Sequence, residues 1–150
     1  VDYTYDLNYA TVRYDLGGTY ILKYKEGLYA GGPVIDKIGQ NGLPQMRFST
    51  GVGVNVPQWW NMDTYLSANY IDSQSQDYIA DTGEEVGHIA SQTTWNLNVG
   101  VDAPWNGKIQ VGVKNMFNAG PSLESDGFTY DEELYSIDGR IYYLDYTQKF

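Results

Sequence analysis

Acidic side chains are the most concentrated reactive groups in this sequence. Ten of its nineteen Asp and Glu residues fall in two stretches, Asp77 to Glu85 and Glu124 to Asp138. Carboxylates are the ligands that Ca²⁺ prefers, and His88 follows the first stretch, but neither stretch has the ligand spacing of an EF-hand. The second stretch is also suited to bridging divalent ions to lipopolysaccharide. The simpler interpretation is two solvated surface loops without a bound metal.

The sequence contains no pattern typical of an active site. It has a single histidine and no G-x-S-x-G motif, so no catalytic triad is indicated. The paired carboxylates lie in predicted loops, where burial would not tune their pKa values for acid–base catalysis. The chain has no cysteine, which excludes a thiol nucleophile, a disulfide and Cys-bound zinc. We therefore expect neither an enzyme nor a cofactor.

The composition argues against a nucleic-acid-binding protein and favours a membrane barrel. A net charge of −10 argues against nucleic acid as a partner, because phosphates must be neutralised by Lys and Arg. Fifteen Tyr, four Trp and seventeen Gly stand beside only nine basic residues, as expected for aromatic girdles and closely packed strands of a membrane barrel. The sequence contains no run of eighteen apolar residues, so it predicts no membrane-spanning helix. A barrel strand, however, needs an apolar residue only at every second position.

Alternation of apolar and polar side chains predicts seven strands and no helix. The predicted strands are Val1 to Leu7, Thr11 to Glu26, Met46 to Val56, Asn61 to Gln76, Gln92 to Ala103, Lys108 to Asn115 and Ile141 to Phe150. In the last of these, Tyr142, Leu144 and Tyr146 share one face, whereas Tyr143 and Asp145 share the other. An aromatic-rich strand at a chain end is typical of outer-membrane barrels.

The connections between these strands are alternately short and long. A transmembrane barrel has short turns at its periplasmic end, long loops outside, an apolar face towards lipid and a polar lumen. A soluble β-sandwich also alternates in polarity, but it has no reason to place all its long loops at one end. The sequence therefore predicts an all-β protein built from antiparallel transmembrane β-barrel strands.

The same assumption predicts two belts of aromatic side chains at the membrane interfaces. With the long loops outside, the final strand runs inward and its last residue reaches the periplasmic side. The predicted interface aromatics are Trp59, Trp60, Trp105 and Phe150 at the periplasmic side and Tyr24, Tyr70, Trp95 and Tyr142 near the outer rim.

Three segments resemble parts of the TonB-dependent outer-membrane receptors. Residues 104–121, PWNGKIQVGVKNMFNAGP, are similar to the penultimate hairpin of that family, in which a strand ends in a G-V-x-N-[LM]-F-[ND] pattern before a loop that opens near a proline. The stretch from Gly139 to Phe150 resembles the closing strand, and Leu43 to Phe48 resembles a loop-to-strand passage of the family. Gln148 departs from the aromatic or apolar residue that barrel-assembly signals often carry.

The resemblance implies that this chain is the C-terminal part of a 22-stranded barrel whose earlier strands and N-terminal plug lie outside it. It implies energised import of a scarce nutrient, such as a ferric siderophore, a vitamin or an oligosaccharide, across the outer membrane of a Gram-negative bacterium. The implied partners are membrane lipid, lipopolysaccharide, the rest of the barrel and its plug, the TonB complex through the missing N-terminal region, and the barrel-assembly machinery.

Polar side chains near the outer rim of the predicted lumen are the candidate contacts with a ligand or with the plug. They are Lys23, Lys25, Arg47, Asn69, Thr94, Asn96, Lys114 and Tyr143. The basic members would suit an anionic siderophore, whereas wetting of the lumen explains the polarity of the whole set equally well.

Two other classes of function are compatible with the pattern. A complete eight-stranded barrel acting as an adhesin or structural anchor would fit the chain length but needs an eighth strand. A soluble carbohydrate-binding β-sandwich would use exposed Trp and Tyr side chains and would not require detergent.

Overall fold

The computed structural model describes residues 1–27, 29–40, 42–75, 87–124 and 129–148. Its main feature is a sheet in which each strand is hydrogen-bonded to its neighbours in antiparallel orientation. The seven strands of this sheet, in sheet order, are β1 (Asp2–Asp6), β2 (Thr11–Tyr20), β5 (Met46–Val56), β6 (Met62–Ile71), β9 (Gln92–Ala103), β10 (Gly107–Lys114) and β11 (Ile141–Gln148). The prediction of an all-β, antiparallel structure is thus confirmed.

The remaining strands form two small sheets within the long connections. Their members are β3 (Lys25–Gly27) with β4 (Val34–Asp36), and β7 (Gln74–Ser75) with β8 (His88–Ile89). The described residues contain no helix, and hence none that is long and apolar enough to cross a membrane.

Two predicted strands were too long. The strand predicted to reach Glu26 ends at Tyr20, because its partner strand begins at Met46 and Pro44 has no N–H for the ladder. The strand predicted to reach Gln76 ends at Ile71, where Asp72 Oδ1 accepts the backbone N–H of Ser73 at 2.9 Å and so competes with the ladder. The last two residues of the seventh predicted strand lie outside the described residues.

The register places the apolar side chains of all seven strands on one face. Val52 faces Tyr14 on β2 and Leu66 on β6, and Leu66 in turn faces Leu97 on β9. Val111 of β10 lies opposite Leu144 of β11. The opposite face carries the Gly, Asn, Ser, Thr and charged residues, as the alternation predicted. We refer to these as the apolar face and the polar face.

The sheet is a single layer, so its apolar face is not covered by other described parts of the chain. The chain exposes 10189 Å², whereas a compact monomer of this mass exposes about 7,700 Å². Leu144 is 71% exposed and Val111 46% exposed. The buried hydrophobic side chains among the described residues are Ala10, Ala68, Ile89, Ala103 and Tyr135. Exposed apolar surfaces of this extent are typical of proteins that contact a membrane, another protein or a ligand there.

The two ends of the sheet differ in their connections. The three short turns, after β1, β5 and β9, lie at one end, and the described parts of the long connections (within residues 21–45, 72–91 and 115–140) lie at the other. Two of these turns contain left-handed residues, which are Trp60 (φ 54°) and Asn61 (φ 50°) after β5 and Asn106 (φ 60°) after β9. Asparagine tolerates this conformation better than most residues, so Asn61 and Asn106 suit these two turns.

Two tyrosines on the polar face reach across a whole strand. Tyr65 of β6 donates its hydroxyl proton to Asp15 Oδ1 on β2 at 2.7 Å, crossing β5 above Gly51. Tyr143 of β11 accepts a hydrogen bond from Asn98 Nδ2 on β9 at 2.8 Å, crossing β10 above Gly112. A side chain at either glycine would occupy the space of the tyrosine ring. Each tyrosine therefore links the two outer strands of a group of three, and the glycine of the central strand leaves room for the ring.

We expect Gly112→Ala to destabilise the fold by roughly 1–3 kcal/mol, since its Cβ would lie 2.6 Å from Tyr143 Cε1 and force the ring off Asn98. Gly17→Ala is the matched control, because its Cβ would find Ser49 Oγ at 3.9 Å as its nearest neighbour. The free energy of unfolding in denaturant measures both. Equal stabilities of the two variants would show that the tyrosine is not held over the glycine.

Candidate functional site

Three adjoining depressions lie on the polar face near the long connections. We name them the arginine groove, of about 370 Å³, the roofed cavity, of about 320 Å³, and the tyrosine pocket, of about 240 Å³. The arginine groove is lined by Gly17, Gly18, Thr19, Arg47, Phe48, Ser49, Asn69, Tyr70 and Ile71. The roofed cavity is lined by Asn69, Ile71, Gln92, Thr94, Asn96, Lys114, Asn115, Leu134, Ser136, Asp138, Gly139 and Ile141. The tyrosine pocket is lined by Tyr65, Ser67, Asn96, Leu97, Asn98, Lys114 and Tyr143. Shared residues join the three depressions into one row.

Six of the eight candidate contact residues line this row. Asn69, Thr94, Asn96 and Lys114 meet in the roofed cavity, Arg47 lines the arginine groove, and Tyr143 lines the tyrosine pocket. The other two, Lys23 and Lys25, lie beyond the end of β2 and line none of the three depressions. The alternation thus identified residues that the register brings together, but it extended β2 too far.

Several lining residues were not predicted. Gln92 occupies a polar-face position at the start of β9, so the alternation rule was sufficient to find it. Ser136 and Asp138 belong to the last long connection, whose course over the polar face has no periodic signal in the sequence. Asn115 is the Asn of the family-like hairpin pattern, for which the sequence suggested no structural role.

Residues 134–139 of the last long connection form the roof of the roofed cavity, and Asn115 anchors them. The Asn115 amide Nδ2 donates to the carbonyl oxygens of Ala119 at 2.7 Å and Asp138 at 3.3 Å, while its Oδ1 accepts the N–H of Ala119 at 2.8 Å. Its own backbone N–H donates to Asn96 Oδ1 on β9 at 3.0 Å. This buried residue therefore joins both ends of the connection to the sheet.

The long connections also bind to one another. Gln74 Nε2 donates to the Tyr135 hydroxyl at 3.0 Å, and both side chains are buried. Ser75 donates its N–H and its hydroxyl proton to Gly39 O, at 2.6 Å and 3.1 Å. Ile89, with no exposed surface, completes this cluster. Residues from all three long connections thus form one assembly, which we call the loop cluster.

Charged side chains of the described residues are paired in one part of the polar face and unpaired nearer the long connections. Arg13 and Asp63 form an ion pair at 2.7 Å on the polar face, the single ion pair within the described residues. Arg47 and Lys114, nearer the long connections, have no ion-pair partner in that part of the chain. Residues 72–91 contain five acids and no Lys or Arg, and residues 115–140 contain six acids and one Arg, so these two connections account for the whole net charge of −10.

The predicted interface aromatics lie near both ends of the sheet. Trp59, Trp60 and Trp105 occupy the short turns and are 66%, 63% and 56% exposed. At the other end, Tyr70 stacks on Phe48 with ring centroids 5.0 Å apart, and Trp95 meets Phe117 edge-on at 6.5 Å. The further positions at that end are Tyr142 in β11 and Tyr24 just before β3. Phe150 lies outside the described residues.

The structure gives no support for a metal site in the part it describes. No group of three or more His, Asp and Glu side chains there is placed to hold a metal ion. The stretch Asp77 to Glu85 lies outside the described residues. His88 is exposed in β8.

Comparison of the chain with protein-family models, with curated proteins and with solved structures gave no match. The resemblance to TonB-dependent receptors therefore stays a prediction.

Substitutions at Asn115 separate its hydrogen bonds from its backbone conformation, which has φ of 49°. Asn115→Gly, which tolerates this φ, should cost about 1–3 kcal/mol through the lost side-chain bonds. Asn115→Ala should cost roughly 1 kcal/mol more, because a Cβ disfavours the left-handed region. Unfolding free energies of both variants are the measurement. Equal costs would show that the backbone conformation contributes nothing.

The Gln74–Tyr135 bond gives the loop cluster a pH dependence at high pH. Burial raises the pKa of the Tyr135 hydroxyl above 10.0, although the Gln74 amide donates to it. The folded state thus favours the neutral hydroxyl of Tyr135. The contribution of this hydroxyl to the stability of the fold is fully present below about pH 10, and it is lost as the pH rises through the raised pKa.

Tyr135→Phe should lower stability by about 1–3 kcal/mol at neutral pH, because it leaves the buried Gln74 amide without this partner. The difference from the wild type should shrink above about pH 10. Thermal unfolding between pH 7 and pH 11 measures it. Tyr130→Phe, in the same connection, is the control and should change little. A difference that is constant to the highest pH would contradict the titration of Tyr135.

Proposed function

We propose that this chain forms part of the wall of a transmembrane β-barrel in the outer membrane of a Gram-negative bacterium, and that the barrel imports a scarce nutrient as TonB-dependent receptors do. The observation that carries the proposal is the single-layered sheet with one continuous apolar face and one hydrogen-bonded polar face. Six of the seven strands have 8 to 12 residues, close to the 9–11 that span a bilayer.

The edges of the sheet support a wall larger than these seven strands. β1 and β11 lie at opposite edges and do not pair with each other in the described structure. Unpaired backbone groups are not tolerated in lipid, so each edge needs a further strand as a partner. The family resemblance supplies these partners as the earlier strands of a 22-stranded barrel, with a plug inside it.

The ends of the sheet support the orientation. Short turns with exposed Trp side chains fit the periplasmic side, and the long acidic connections fit the outside. The row of three depressions would then line the outer part of the lumen, where an entering ligand arrives first. Energy from the TonB complex and the role of the plug are proposed from the resemblance alone.

No observation favours the alternatives. A small eight-stranded barrel needs an eighth strand in the main sheet, and a β-sandwich needs a second sheet over the apolar face. The described residues place seven strands in the main sheet, and their other two sheets have two short strands each.

Single cysteines test which face meets lipid, since the chain itself has none. Spin labels at Leu66 and Val111 on the apolar face should be accessible to oxygen and protected from a water-soluble nickel complex, because lipid surrounds them. Labels at the adjacent Ser67 and Gln110 on the polar face should show the reverse. The measurement uses the native polypeptide in its membrane, and the neighbouring position on each strand is the matched control.

Equal access of the nickel complex to both faces would reject the membrane wall. If the alternation holds, the import step is tested by deleting the native gene and measuring proton-gradient-dependent uptake. Unchanged uptake of every candidate nutrient would reject the transporter while leaving the barrel.

A further inference from the structure

The roofed cavity offers one positive and one negative side chain to a ligand. Lys114 lies at the end of β10 and Asp138 lies in the roof, and both line the cavity. Neither side chain has an ion-pair or hydrogen-bond partner among the described residues. Two uncompensated charges of opposite sign, with a net charge of zero, suit a zwitterion better than a multiply charged anion.

The neutral polar groups of the cavity match those of a peptide bond. Asn69 and Gln92 are primary amides, each with a carbonyl acceptor and an amino donor. Asn96 is also an amide, but its Nδ2 donates to Ser67 Oγ at 3.4 Å and its Oδ1 accepts the N–H of Asn115 at 3.0 Å. Gln92 uses its amino group on Gly120 O at 2.5 Å, which leaves its carbonyl oxygen. Asn69 has neither group engaged within the described part of the chain, and Thr94 adds a hydroxyl beside it. The cavity therefore presents both donors and acceptors to a ligand.

The apolar part of the cavity is aliphatic. Ile71, Leu134 and Ile141 line it, and no aromatic ring is among its described lining residues. A sugar ring ordinarily packs its apolar face on an aromatic side chain, which this cavity does not offer. Aliphatic walls instead suit aliphatic side chains, which contribute by burial of their surface.

We propose that the roofed cavity binds a short peptide with free termini and aliphatic side chains. The Lys114 ammonium binds the terminal carboxylate, Asp138 binds the terminal ammonium, and the Asn69 and Gln92 amides bind the peptide bond. A volume of about 320 Å³ is at the lower end of the range of small-molecule sites, which limits the ligand to a very short peptide. That this peptide is the imported nutrient rests on the proposed function, whereas the binding itself does not.

Calorimetry on the intact native protein in detergent tests this inference, with Leu-Leu, N-acetyl-Leu-Leu and Leu-Leu-amide as probes. The wild type should bind Leu-Leu about tenfold or more tightly than either blocked peptide, because each block removes one charge-assisted bond. The Lys114→Gln variant should bind Leu-Leu and Leu-Leu-amide equally well, because the group that binds the carboxylate is lost. The Asp138→Asn variant should bind Leu-Leu and N-acetyl-Leu-Leu equally well, because the group that binds the ammonium is lost. Lys108→Gln and Asp145→Asn, charge changes on the same face nearer the short turns, should leave both preferences intact.

Absence of binding of Leu-Leu to the wild type would overturn the inference, as would equal binding of the blocked peptides or tight binding of maltotriose in their place. Loss of both preferences in the Lys108 and Asp145 variants would also overturn it, since a general field would then explain the selectivity. The peptide-binding measurement is made in detergent and needs no membrane. Failure of peptide binding would therefore reject the peptide site and leave the membrane wall, which the labelling of the two faces tests. Failure of the labelling pattern would reject the membrane wall and leave the peptide site.

Discussion

The hydrogen-bond register between neighbouring strands is the interaction on which the other features depend. Side chains alternate along a strand, so a slip of one residue at any ladder would turn the following strands over. Val52 would then no longer meet Tyr14 and Leu66, and polar side chains would appear among the apolar ones. Left-handed asparagines in two of the three short turns, Asn61 and Asn106, help to set this register at one end of the sheet. The apolar face extends over seven strands only because every pair of neighbouring strands keeps the register that places apolar side chains on the same side.

The polar face depends on the same register in a different way. Tyr65 and Tyr143 bond to the second strand away because the strand between them and their partner carries glycine at the crossing point. A one-residue slip would place a side chain under each ring. These crossings stiffen the surface that carries the depressions, and Asn115 attaches the roof to it through Asn96. The site is thus built from rigid strands below and an anchored connection above.

The sequence was sufficient for the features that depend on the two-residue period of a strand. It predicted the seven main strands, the two faces and eight polar contact residues, six of which line the row of depressions. It failed where a strand stops for a reason outside its own pattern, as at Tyr20, whose partner strand begins only after Pro44. It could not predict the roof, because Ser136 and Asp138 are held over the cavity by hydrogen bonds from residues distant in sequence, from Asn115 to Asp138 and from Gln74 to Tyr135. Such contacts have no periodicity to detect.

The loop cluster has a consequence for how this protein can change over evolutionary time. Surface connections normally accept insertions and substitutions independently, since they contact little besides solvent. Here Gln74 holds Tyr135 and Ser75 holds Gly39, so the three long connections share one small interior. Effects of changes at residues in contact are not additive. A substitution in one connection therefore alters which substitutions the other two accept. We expect the three connections to diversify as a set, even where the strands between them stay unchanged.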